Sequence, residues 1–182
     1  MNFHNITTAD MMNGDGLRVV LWLSGCNHHC KNCQNPQTWD INSGIEFDIS
    51  AKEELFKELK KDYISGITFS GGDPLHVNNL DGVFELINEI RTSFSNKSIW
   101  IYTGYTWDNC QLMMKGLDEK SLLYNENNRK RREIISQCNV MVDGLYIDSL
   151  KDITAKWVGS TNQRVIDVQE SLKQNKVILH CD

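Results

Sequence analysis

The sequence predicts an α/β fold, an incomplete (β/α) barrel whose curved sheet is mostly parallel. Three observations lead there. Apolar runs of strand length alternate with segments of helical period, the pattern of βαβ units. Gly-bearing motifs follow three successive predicted strands, at Gly71-Gly72, Gly104 and Gly144, and parallel α/β sheets bind ligands at strand carboxyl ends. The 182 residues fall short of the ~250 typical of a complete eight-fold barrel, yet suffice for one domain over 1–182 with a core of its own.

The elements follow in order. Leu17 to Leu23 (LRVVLWL) reads as a buried strand. Ser50 to Lys61 reads as a helix, with Ser50 and Glu53 as a capping box and Leu55, Phe56 and Leu59 as the apolar stripe. Ile64 to Phe69 is the next strand and runs into Ser70-Gly71-Gly72-Asp73-Pro74. Leu80 to Phe94 is a helix with Leu80, Val83, Phe84, Ile87, Ile90 and Phe94 on one face. Ser98 to Tyr102 is a strand ending at Thr103-Gly104, and a helix starts at Trp107. Leu117 to Arg132 is charged and Asn-rich, becoming helical towards Gln137. Val140 to Val142 is a strand ending at Asp143-Gly144, and two more strands are read at Arg164 to Val168 and Val177 to His180.

Composition narrows the function classes. A net charge of −5 excludes a non-specific nucleic-acid binder, which carries a basic field. The first ten residues hold neither a basic segment nor an apolar one, and no apolar run approaches the ~20 residues of a membrane span. A cytoplasmic protein is expected, and there clustered cysteines point to metal or catalysis rather than disulfides.

Cys26, Cys30 and Cys33 form such a cluster, C-x3-C-x2-C, in the loop SGCNHHCKNCQNP. Closed zinc sites take four protein ligands, and iron–sulfur clusters are usually held by four cysteines. Three thiolates in one loop therefore suggest a 4Fe–4S cluster with one iron left open for a substrate. Two alternatives stand beside it: a zinc site completed by His28 or His29, and three inert buried thiols. Inert burial fits poorly with the polar residues Asn27, Lys31 and Asn32 between the cysteines.

The cysteine loop after a first strand, followed by a Gly-Gly-acid motif after the next, resembles the radical S-adenosylmethionine superfamily. The ordered set Asn13 to Arg18 (NGDGLR), Ser24-Gly25-Cys26, Asn35-Pro36 with Trp39, Ser70 to Leu75 (SGGDPL), Tyr102 to Tyr105 (YTGY), Val142-Asp143-Gly144 and Trp157 to Arg164 (WVGSTNQR) narrows the match. It resembles the family that activates anaerobic ribonucleoside-triphosphate reductase, over roughly residues 1–168. The resemblance implies the incomplete barrel of the radical S-adenosylmethionine type. It implies a 4Fe–4S cluster on Cys26, Cys30 and Cys33 whose fourth iron is chelated by S-adenosyl-L-methionine. An electron from reduced flavodoxin or a similar donor then cleaves that cofactor to a 5′-deoxyadenosyl radical, which takes a hydrogen from a glycine of the reductase. The cofactor-contacting positions it implies are Asn32, Cys33, Gln34, Gly71, Gly72 and Asp73, with no catalytic residue beyond the cluster ligands. Asn32 and Gln34 stand where relatives carry aromatics, so adenine contact there is expected from backbone rather than ring stacking. An activase of another glycyl-radical enzyme, such as pyruvate formate-lyase, and a non-catalytic zinc or iron–sulfur module are the alternative functions.

Other residues carry plainer expectations. Asp143 is read as a turn residue or a cofactor contact. Asn162, Gln163 and Arg164 are read as lining the site or closing a loop. His28 and His29 are expected to face solvent, with support of the cluster as the alternative. Cys110, Cys138 and Cys181 are expected to be ordinary thiols, and His180-Cys181 at most an adventitious metal site. Trp22, Trp100 and Trp107 are assigned to packing, and Arg129 to Arg132 to a solvated helix face.

Overall fold

The computed structural model describes residues 1–112 and 122–181, with the side chains of 110–125 outside that description. Seven strands form one sheet: β1 (Asn2–Asp10), β2 (Leu17–Leu23), β3 (Ile45–Glu46), β4 (Ile64–Gly71), β5 (Ser98–Tyr102), β6 (Val140–Asp143) and β7 (Arg164–Asp167). Their spatial order is β3-β1-β2-β4-β5-β6-β7. The sheet is open, because β3 and β7 lie at opposite edges. The helices are α1 (Ile49–Leu59), α2 (Leu80–Ser93), α3 (Trp107–Leu112), α4 (Leu122–Gln137) and α5 (Val168–Gln174).

The expected parallel sheet is confined to the central strands. β2, β4, β5 and β6 run parallel, whereas the flanking pairings are antiparallel, β1 with β2 and β3 with β1 on one side and β7 with β6 on the other. The central strands read as continuous apolar runs because both of their faces are covered. Val19, Leu21, Leu23, Ile67, Phe69, Ile99, Ile101 and Met141 point to one face and pack on Leu55 and Leu59 of α1, Val83 and Ile87 of α2, and Ile134 of α4. The alternate residues line the other face in registered rows, Val20–Thr68–Trp100–Val140 and Trp22–Ser70, with Tyr102 opposite Val142. That second face is covered at one end by Trp157, Val158 and Cys181 against Trp100, Val140, Val142 and Val165. Its floor holds Arg18, fully buried, whose guanidinium reaches Thr68 Oγ1, Ile67 O and both the carbonyl and hydroxyl of Ser98.

Several local expectations change. β1 was not legible, because only Phe3 and Ile6 of its nine residues are buried. It is held by pairing with β2, interrupted by two register shifts. The cap of α1 lies two residues before the expected one: Asp48, not Ser50, accepts from Ala51 N at 2.9 Å, and the helix starts at Ile49. The segment Arg164 to Val168 divides at Asp167, which ends β7 and caps α5 by accepting from Glu170 N at 2.9 Å. Val177 to His180 contributes one isolated bridge, Ile166 with Leu179, rather than a strand. The basic run on α4 is split. Arg129 pairs with Glu133 and Lys130 with Asp81, but Arg131 is buried, donates to Leu75 O at 3.0 Å and lies over the Tyr105 ring at 4.8 Å. Part of the stretch Leu117 to Arg132 and the side chain of Cys110 lie outside the described residues. No helix among the described residues is long and apolar enough to cross a membrane.

Candidate functional site

Parallel strands deliver their carboxyl ends to one edge, so the loops after β2, β4, β5 and β6 converge there. The cysteine loop leaves β2 and is pinned at its root. Gly25 N donates to Thr38 O at 2.7 Å and Cys26 N to Trp39 O at 3.0 Å, while Pro36–Thr38 form a single 3-10 turn beneath it. Pro36 suits that first turn because its missing N–H would have no partner there. The loop bends through left-handed backbone at His29 (φ 45°) and Asn32 (φ 55°).

The β4 exit loop packs directly on this root. Gly72 N donates to Leu23 O at 2.7 Å and Asp73 N to Gly25 O at 2.8 Å. Gly71 sits at φ 91°, and a Cβ on Gly72 would stand 2.7 Å from the Gly25 carbonyl oxygen. Neither position tolerates a side chain without moving backbone. Asn79, fully buried at the start of α2, ties the two loops again by donating to Ser24 O and Asp73 O.

Cys26, Cys30 and Cys33 all face one cavity of about 480 Å³, which Gly71, Gly72 and Asp73 also line. Burial pushes the Cys26 thiol up to about 11, against the pull of the His28 and His29 backbone N–H groups. Burial also raises Cys30, against a bond from the Tyr146 backbone. Asn35 N donates to Cys33 Sγ at 3.3 Å. Each sulfur therefore has backbone donors, the environment that stabilises cluster thiolates once metal removes their protons. Thiol donors beside an open cavity fit an iron–sulfur cluster with one coordination position left for a ligand. A single-ion site fits less well. The His28 Nε2 that would complete it is engaged by Asp73 at 2.6 Å.

The predicted cofactor positions have different fates. Gly71, Gly72 and Cys33 lie together in the cavity wall, and Gln34 lines it with an exposed side chain. Asn32 is exposed, and its amide donates to Asp148 Oδ2 at 2.8 Å. That bond and the Tyr146 hydroxyl hold the Asp148 carboxyl below the usual range. Asp73 is buried and its carboxylate is committed to the protein: Leu75 N, Thr103 Oγ1, Gly104 N and His28 Nε2 all bond to it. His28 is consequently not solvent-facing, because its ring is drawn into contact with Asp73 and Tyr105. His29 is exposed as expected, edge-on to Trp39.

The motif after β6 closes loops. Asp143 is buried and accepts from Trp107 N at the start of α3 and from Arg164. Gln163 accepts from Gly159 N and Ser160 N and donates to Gly144 O, while Asn162 donates to Leu145 O. Gln163 also reaches the cavity wall, so it serves both readings. Cys138 is buried and donates to Ile134 O, and His180 contacts Asp15. Sequence reasoning missed Tyr146, Lys151 and Ile153 as cavity residues. They lie in irregular chain whose spacing has no period, and only the nearby Val142-Asp143-Gly144 motif pointed there.

A family model for a 4Fe-4S single cluster domain matches residues 12–166. The anaerobic ribonucleoside-triphosphate reductase-activating protein of Escherichia coli K12 is 36% identical over 167 residues, covering 91% of this chain and 97% of that one. Its namesake from Vibrio cholerae is 34% identical over 90% of this chain and 96% of its own. The one from Enterobacteria phage T4 is 35% identical over 91% and 93%. With these relatives aligned along nearly their whole lengths, the chain belongs to the family of anaerobic ribonucleoside-triphosphate reductase-activating proteins.

Proposed function

We propose that this chain activates an anaerobic ribonucleoside-triphosphate reductase by generating a glycyl radical on it. The observation that carries the reading is the meeting of the Cys26, Cys30 and Cys33 loop with the Gly71-Gly72 turn in one cavity. The three cysteines would hold a 4Fe–4S cluster and leave its fourth iron for the amino and carboxylate groups of S-adenosyl-L-methionine. A cluster held there would supply the electron for reductive cleavage of the sulfonium into methionine and a 5′-deoxyadenosyl radical.

The protein's own residues bind and orient. Without Cβ atoms, Gly71 and Gly72 present carbonyls to the methionine ammonium group at close range. Gln34 and the backbone at Asn32 and Cys33 flank the adenosine. Asp73 holds the loops in register and sets a negative charge beneath the cavity. On this reading the open sheet is an incomplete barrel of the radical S-adenosylmethionine type, one domain over 1–182, whose open side admits the glycine-bearing loop of the reductase. Reduced flavodoxin or a similar donor supplies the electron, in the reducing cytoplasm.

The test is electron paramagnetic resonance on the anaerobically reconstituted protein mixed with reductant, S-adenosyl-L-methionine and the reductase. A glycyl doublet on the reductase is expected, and about four irons per chain. A doublet formed only with pyruvate formate-lyase would reassign the partner. Stoichiometric zinc with no cluster would sink the enzyme reading.

A further inference from the structure

We propose that His28 is a positioning residue, a latch that fixes the cysteine loop against the Gly71-Gly72 turn through buried Asp73. The inference rests on the function proposed above and adds a residue to its machinery.

The latch has a built slot. Asp73 is 3% exposed, and its other partners, Leu75 N, Thr103 Oγ1 and Gly104 N, come from the β4 and β5 exit loops. A carboxylate only accepts, so the His28 Nε2 carries the proton and donates to Oδ2 at 2.6 Å. His28 is thus the member of this set that comes from the cysteine loop. The ring is also confined sterically. It meets Tyr105 edge-on at 5.1 Å, and a Cβ on Gly104 would stand 2.4 Å from its Cδ2. Tyr105 is backed in turn by Arg131, whose Nε holds Leu75 O next to the same turn.

His28 lies between Cys26 and Cys30 in sequence. Fixing its ring therefore fixes the part of the loop that separates two of the three thiols, relative to the glycines that would receive the methionine moiety. At the far side Asn32 anchors the loop on Asp148, which Tyr146 also holds, but the Asn32 contact is exposed to solvent. The bonds of Asp73 N to Gly25 O and of Asn79 to Ser24 O and Asp73 O tie the loop at its root, and the charge-assisted bond from His28 to buried Asp73 extends that register to the segment between Cys26 and Cys30.

The experiment compares wild type, His28→Phe and His28→Gln. Phe keeps the ring volume and the edge contact with Tyr105 but removes the donor, and Gln returns an amide N–H to about the same place. In anaerobically reconstituted protein, the dissociation constant of S-adenosyl-L-methionine is read from its effect on the spectrum of the reduced cluster. In the iron-free chain, the alkylation rates of Cys26 and Cys30 are read by mass spectrometry. His28→Phe is expected to weaken the cofactor by about tenfold, the effect of losing one hydrogen bond of about 1.4 kcal/mol. It should also speed alkylation, and His28→Gln should restore both. Unchanged affinity in a fully loaded Phe variant overturns the proposal, as does a Gln variant no better than Phe. Should the Phe variant fail to load iron, alkylation decides: faster labelling that Gln reverses supports the latch, and unchanged labelling overturns it. A wild-type cluster whose spectrum ignores S-adenosyl-L-methionine would instead be a failure of the proposed function, with alkylation still testing the latch.

Discussion

Arg164 grips both oxygens of Asp143, donating through Nε at 3.0 Å and through Nη2 at 2.6 Å. The pair joins β7 to the end of β6, and Asp143 passes the restraint on by accepting from Trp107 N at the head of α3. Arg164→Met leaves the Asp143 carboxylate buried with that one donor and should cost about 3 kcal/mol, because an unpaired buried charge is dearer than a lost hydrogen bond. The double variant with Asp143→Asn should lose less than the sum of the single ones, since no charge is then stranded. Urea denaturation of the four proteins measures this, and strict additivity would refute the coupling.

Gly72→Ala puts a methyl group 2.7 Å from the Gly25 carbonyl. Backbone on both sides must part, and overpacking of this kind costs about 1–3 kcal/mol. The cysteine ligands are untouched, so iron should load normally while S-adenosyl-L-methionine affinity falls about 10- to 100-fold. Iron content and cofactor titration on one sample separate the two effects.

Burial pushes the Cys138 thiol up to about 12 from its ordinary value of 9.0. The folded chain keeps this proton where the unfolded chain releases it. The contribution to stability is therefore complete below about pH 9 and is lost as pH rises towards 12, at up to about 1.4 kcal/mol per pH unit. Cys138→Ala should flatten the fall in unfolding free energy between pH 9 and 11. A parallel decline in both proteins would assign the alkaline loss to other groups.

Arg18 is fully buried and its hydrogen-bond partners are neutral oxygens, with the guanidinium 5.2 Å from the Trp100 ring centroid. Burial draws it down to about 10, which leaves it charged at neutral pH. Arg18→Met should destabilise by about 3 kcal/mol, because the carbonyls of Ile67 and Ser98 lose their donor inside the sheet. Arg18→Lys should rescue little of it, since one ammonium cannot span a fork of five bonds. Chemical denaturation of both variants gives the comparison.

The central strands and α2 were legible because each carries its own periodicity. Val19, Leu21 and Leu23, or Val83, Ile87 and Ile90, are apolar at the spacing of the element that buries them. β1 was not, since a strand with only Phe3 and Ile6 of its nine residues buried carries too weak a pattern. The cap of α1 was misplaced because Asp48 and Ser50 are both competent caps, and which one serves depends on how the chain leaves β3.

At the site, the three cysteines and the two glycines that meet in one cavity were legible because residue type and local spacing single them out. His28, Asp73 and Arg131 were read less well. A histidine between cysteines and an arginine in a basic run look solvated along the chain, and an acid after two glycines reads as a cofactor contact rather than as the acceptor that joins two exit loops. Their actual partners lie 45, 31 and 56 residues away for His28–Asp73, Gly104–Asp73 and Arg131–Leu75.

By itself the sequence determined the alternation of strands and helices, the thiol donor set and the glycines that let two loops touch. Those features are properties of a residue type or of a short stretch of chain. Only the tertiary structure decided that the flanks of the sheet are antiparallel, that the Asp73 carboxylate at the cavity wall is held by donors from two exit loops, and that His28 is drawn inward to meet it. These depend on which groups are brought together across the fold, where a buried carboxylate takes whichever donors the packed strands deliver to it.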